Sequence, residues 1–189
     1  MSEPTVPQLL QSVGLPGDFL DQLLKESDWS LVIKLHAVFE AVLVNLIVHR
    51  LATPQASEVV SHLEFNNTKA GKVAFARALG LLESRDVAFL RGLSELRNRL
   101  VHSIQNVSFT FAGHVANLSA AERKKFRAEF GFALLQLEGG AAEYDRLLSD
   151  HPRAIVHLAA YDCLLSMQFR VLAQRRTALV EALLQRSAK

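Results

Sequence analysis

The chain has 189 residues, half of them hydrophobic and 21% charged, which suits one helical domain with a single core over 1–189. A formal net charge of only +2 means that a basic footprint for nucleic acid must come from local clusters. The lone Cys163 excludes an internal disulfide and a cysteine-rich zinc site, and the start of the chain lacks the pattern of a signal peptide, so a reducing cytoplasm is expected.

Residues 1–7, with Pro4 and Pro7, read as loose. Pro16-Gly17 separates two short helical stretches, and Asp18 can cap a segment to residue 25 that aligns Phe19, Leu20, Leu23 and Leu24 as a lid. Ser27 or Asp28 can cap the next helix, which runs to about residue 51. It places Leu31, Leu35, Val38, Phe39, Val42, Leu43, Leu46 and Ile47 on a buried side. Lys34, His36, Glu40 and Asn45 interrupt its apolar run, which marks a core helix and no membrane span. His36 and Glu40 are four apart and share a face. Glu40 could brace an active-site histidine from a neighbouring helix; the simpler reading is a solvent-facing pair.

Residues 52–68 form a connector with a short helix over 56–63. Thr68 is placed to cap an Ala-rich helix over 69–82, with Val73, Ala74, Ala76 and Leu79 inside. A polar turn over 83–86 leads into a second helix that buries Val87, Phe89, Leu90, Leu93 and Leu96, so the pair reads as an αα-hairpin. Beyond it, Val107, Phe109 and Phe111 alternate with Ser108 and Thr110, a pattern for a short extended segment. Such a segment can pair with a second chain, turn back near Gly113, or lay two phenylalanines over the bundle, the last being the default. Ser119 and Glu122 form a capping box for a helix to about residue 137 that buries Phe126, Phe130, Ala133, Leu134 and Leu137, and Gly139-Gly140 ends or kinks it. A long closing helix after Pro152 carries Ile155, Leu158, Ala159, Leu165, Phe169, Leu172, Leu179, Leu183 and Leu184. The whole is an all-α bundle of about five main helices.

Chemistry is concentrated in Glu95-Leu96-Arg97-Asn98-Arg99-Leu100-Val101-His102. Leu90, Leu93, Leu96, Arg97, Leu100 and Val101 recur at helical spacing, with Arg91, Ser94, Glu95, Asn98 and His102 opposite. Asn98 and His102 lie one turn apart, with Arg97 at their flank. Arg can grip two phosphate oxygens, Asn can hold a hydroxyl or position the ring, and His can move a proton near neutral pH. Arg99 adds a second cation. Two further basic groups, Arg123, Lys124, Lys125 and Arg127, and then Arg170, Arg175 and Arg176, read as wet helix sides. A plainer reading of the motif also stands. Cations near a helix C-terminus complement its dipole, and Asn98 with Ser103 can satisfy loose carbonyls.

The stretch from Lys72 to His102, with Ala78-Leu79-Gly80-Leu81-Leu82 followed by the motif above, resembles the HEPN superfamily, and within it the mannitol operon repressor group and its uncharacterised relatives. Arg97, Asn98 and His102 fit that superfamily's pattern of Arg, a polar residue, and His after four intervening positions. The resemblance implies metal-independent RNA cleavage, with the sites of two protomers joined across a symmetric homodimer. By carry-over, His102 does acid or base work, Arg97 holds the phosphate and Asn98 orients, with no cofactor and no metal. A toxin or defence effector with a cognate antitoxin fits this picture. The alternative is a non-catalytic transcriptional regulator or interaction module, similar to the mannitol operon repressor, acting on a regulatory protein or nucleic acid. No Gly-rich phosphate loop, paired carboxylates or Cys/His ligand set points to other common chemistries.

Overall fold

A computed structural model describes residues 5–187; residues 1–4 of the expected loose start, and the side chains of Arg175, Leu179 and Leu183, lie outside the described residues. The fold is all-α, with 76% helix and, among the described residues, no strand. Across those residues eleven α-helices replace the expected five main ones. In chain order they are Val6–Ser12 (α1), Phe19–Leu23 (α2), Asp28–Leu51 (α3), Ala56–His62 (α4), Lys72–Ala78 (α5), Ser84–Val101 (α6), Phe111–Ala116 (α7), Ala120–Phe130 (α8), Phe132–Leu135 (α9), Gly140–Asp150 (α10) and Pro152–Ser187 (α11).

The first helix starts earlier than the prolines suggest, because Thr5 and Gln8 form a capping box and Pro7 sits in the first turn, where its missing N–H costs nothing. Helix α3 is the centre, and α1, α4, α5, α6 and α11 all pack on it. All eight expected apolar residues of α3 are buried, and so are Val32 and His36. By length and composition α3 and the Pro152–Gln174 part of α11 could each cross a membrane, but in α3 the apolar side chains are covered by other helices of the same chain. Ser27 is its N-cap, accepting from Ser30 N–H. Asp28 therefore bonds elsewhere. Its carboxylate accepts from Phe111 N–H at 2.8 Å and pairs with Arg153 at 3.2 Å, joining the starts of α3, α7 and α11.

Three expectations need correction. The Ala-rich helix is shorter than 69–82, because Asn67 Oδ1 accepts from the N–H groups of Lys69 and Ala70 and holds that stretch as a turn. The segment after His102 is not extended: Ile104–Ser108 forms a 3-10 turn and Thr110 caps α7. Phe111 is nonetheless fully buried, with Phe109 against it edge-on at 5.2 Å between ring centroids. The capping box at Ser119 and Glu122 is present, but α8 ends at Phe130 and Leu137 is exposed. The chain then reverses at Gly139, which has φ +70, and Gly140, where a Cβ would sit 1.8 Å from the Leu134 carbonyl oxygen. This turn starts α10, which buries Tyr144 and Leu147 and has no counterpart in the sequence reading. On α11 the buried stripe is Ile155, Val156, Ala159, Ala160, Cys163, Leu164 and Met167, whereas Leu158, Phe169 and Leu184 face outward.

The wall between α3 and α5 rests on Lys72. Its side chain is 2% exposed, and its ammonium donates to Glu40 Oε1 at 2.7 Å, to Ser61 O at 2.8 Å and to Leu63 O at 2.6 Å. All three donors are used, so the charge is tolerated in the interior. Replacing Lys72 with Met removes the cation and strands two carbonyls. Urea denaturation should show a loss of about 3 kcal/mol, and a loss below about 1 kcal/mol would contradict this role.

Candidate functional site

Helix α6 separates two clefts. Glu83 caps it, with Asp86 returning a bond to Glu83 N–H, and Val87, Phe89, Leu90, Leu93, Leu96 and Leu100 are buried along one stripe. Ser94, read as polar surface, is only 3% exposed, and Val101, read as interior, is 40% exposed. Two carbonyls in the last turn of α6 are met by donors from outside the motif. Trp29 Nε1–H donates to Leu100 O at 3.5 Å, and Asn106 Nδ2 donates to Arg99 O at 2.7 Å. Asn98 therefore takes no part in capping the helix, and neither Ser103 nor His102 supplies those bonds.

The first cleft, of about 490 Å³, is lined by His36, Glu40, Glu64, Phe65, Asn66, Asn67, Ser94, Arg97 and Asn98. Arg97 is half-buried on its wall and donates from Nη1 to Asn98 Oδ1 at 3.2 Å. Among the described residues it forms no ion pair with a carboxylate, so its remaining donors are open to an anion. Four residues singled out from the sequence thus meet in one place: Arg97, Asn98, His36 and Glu40.

His36 is not solvent-facing. It is 7% exposed with its ring 4.3 Å from that of Phe65, and burial, reinforced by the Arg97 charge, pushes its imidazole down to about 4. Glu40 pairs with Lys72 through Oε1, and His102 does not line its cleft, so Glu40 does not brace His102 within one protomer. The contributors that sequence reasoning missed are Lys72, Glu64, Phe65, Asn66 and the buried Ser94. The sequence signal for Lys72 is its position at the start of a short helix whose next four residues are apolar.

His102 and Arg99 lie elsewhere. His102 is the exposed C-cap of α6, one turn beyond Asn98, and lines neither cleft. Arg99 lines the second cleft, of about 430 Å³, with Asn98, His114, Glu122, Lys125 and Glu129 among its walls. Here Lys125 bonds Glu95 at 2.6 Å and approaches Glu129 at 3.6 Å, so most charges are already paired. Burial and the Arg99 charge lower the His114 pKa, and burial raises that of Glu129. Elsewhere in the basic group on α8, Arg127 is held by Asp145 at 3.3 Å and lies over the Tyr144 ring. Among the described residues no three His, Cys, Asp or Glu side chains gather as a metal site would require.

No family model matches this chain, and neither a curated protein nor a solved structure matches it.

His36 gives a pH signature. Its folded pKa lies below the ordinary value of 6.5, so the unfolded chain binds the proton more readily. The stability this contributes is complete above pH 6.5 and is lost as pH falls toward 4. Across that window wild type should lose on the order of 3 kcal/mol that the His36→Gln variant does not. NMR titration of the ring near 6.5 would contradict the buried, neutral imidazole.

Proposed function

We propose that the chain is a HEPN-type, metal-independent endoribonuclease whose site is completed across a homodimer. The observation that carries the reading is Arg97, a half-buried guanidinium on a cleft wall, braced by Asn98 and unpaired with any carboxylate among the described residues. Such a group suits a phosphodiester, because its planar fork meets two phosphate oxygens at once.

In RNA the nucleophile is built in. The 2′-hydroxyl attacks phosphorus, the bond to the 5′ oxygen breaks, and a 2′,3′-cyclic phosphate and a 5′-hydroxyl result. Arg97 stabilises the charge on the phosphorane, and one imidazole takes the 2′ proton and returns it to the leaving oxygen. Within one protomer His102 lies outside the Arg97 cleft, so a second copy is required to deliver it. A twofold axis then makes two equivalent sites, each joining Arg97 of one copy to His102 of the other. Val101, Ile104 and Val107 leave exposed apolar surface around His102, at 40%, 84% and 47%, which supports contact with a partner at this end of α6. A cytoplasmic toxin or defence effector, held by a cognate antitoxin or regulatory protein, is the biological setting that follows.

The position of His102 also favours a second reading, a non-catalytic regulator or interaction module in which Arg97 binds and nothing is cut. Labelled RNA incubated in EDTA separates the two. Wild type should cleave, and Arg97→Ala and His102→Ala, shown to be folded and of the same oligomeric state, should each lose at least about 100-fold in rate. Failure of wild type to cleave tRNA, mRNA or structured RNA would favour the regulator, whereas full cleavage by His102→Ala would remove His102 from the site.

A further inference from the structure

The Arg97 cleft holds more unused hydrogen-bonding capacity than a phosphate requires. Ser94 and His36 line the cleft, and neither side chain forms a hydrogen bond to another described residue. Glu40 is held from behind: Lys72, 2% exposed, grips Oε1, while the Glu40 side chain is 43% exposed and its Oε2 accepts no bond from the described residues. The amide of Asn66 is equally unused on the connector wall. A volume of about 490 Å³ is that of an ordinary small-ligand site.

We propose that this cleft is a guanine pocket, in which the Glu40 carboxylate accepts the N1–H and the exocyclic amine of the base while Arg97 holds the phosphate. The proposal rests on the reading of Arg97 as a phosphodiester ligand. An ionised carboxylate only accepts, and each of its oxygens can take more than one bond, so the hold of Lys72 on Oε1 leaves room for a second donor. Guanine is the base that presents two adjacent donors on its Watson–Crick edge. Adenine and cytosine each set one amine beside an acceptor nitrogen, which a carboxylate repels, and uracil sets one N–H between two carbonyls. Guanine O6 accepts, and the Asn66 amide supplies a donor of the matching kind. Lys72 fixes Glu40 in place, so the acceptor is set before the base arrives.

The test is calorimetric titration with the four 3′-mononucleotides, and with 2′-O-methyl RNA hexamers containing one guanine or none, which cannot be cleaved because the 2′ oxygen is blocked. The guanine ligands should bind at least about tenfold more tightly than the others. Glu40→Gln should abolish that preference, Asn66→Ala should reduce it, and Arg97→Ala should weaken all four nucleotides alike. Asn66→Ala removes no side-chain hydrogen bond among the described residues, so it decides the matter if Glu40→Gln fails to fold. Equal affinity for the four bases, a preference unchanged in the folded variants, or no binding of any probe would overturn the pocket. A Glu40-dependent guanine preference without RNA cleavage upholds the pocket as a nucleotide site and removes the ribonuclease reading. Arg97-dependent cleavage with no base preference does the reverse.

Discussion

The cleft beside Arg97 exists because a lysine is buried behind it. Lys72 bonds a carboxylate on α3 and two carbonyls from the end of α4 and the residue after it, so one ammonium fixes the connector against the central helix. Desolvating a cation is expensive unless every donor is met, and here each is. The same contact turns the Glu40 carboxylate toward the cleft. Stability and site geometry therefore share one interaction, and the loop carrying Glu64, Phe65 and Asn66 is positioned as tightly as the helices on either side.

The opposite wall is set by α6. Its apolar stripe docks on α3 and α8, and the polar residues between fall to two clefts according to their angle around the helix. Arg97 and Arg99 are two positions apart, roughly 200° around the axis, so they cannot serve one ligand on one face. Asn98 sits on the ridge between them and lines both clefts. Trp29 and Asn106 meet the carbonyls of Leu100 and Arg99, so Asn98 and Ser103 are not what satisfies those two, while Arg99 in the last turn and His102 as C-cap stand where cations complement the helix dipole.

Much of the fold was legible in local pattern. The eight apolar positions of α3 and the capping box at Ser119 follow from helical period and side-chain reach. What escaped depended on context. Helix α10 follows the Gly139-Gly140 pair, which reads as an ending, and it escaped although Tyr144 and Leu147 stand at helical spacing. In α11 apolar residues occupy more than one face; the neighbours of Cys163 in sequence suggest its burial, but only the packing of other helices decides that Leu158 and Phe169 are left outside. The alternation of Val107, Phe109 and Phe111 imitated a strand because a 3-10 turn and a helix cap meet there. In the site, Arg97 and Asn98 could be read from spacing within one helix. The union of His36 and Glu40 with them could not, because it depends on the packing of α6 across α3, and neither residue type announces burial.

The central claim is that Arg97 of one protomer works with His102 of another. Subunit mixing tests it most directly: Arg97→Ala and His102→Ala chains, each carrying a different tag, are combined, the mixed dimers isolated, and RNA cleavage measured in EDTA. Each mixed dimer contains one site with both native residues if the site spans two chains, so cleavage should return from two inactive parents. Mixed dimers as inactive as either parent would contradict the account.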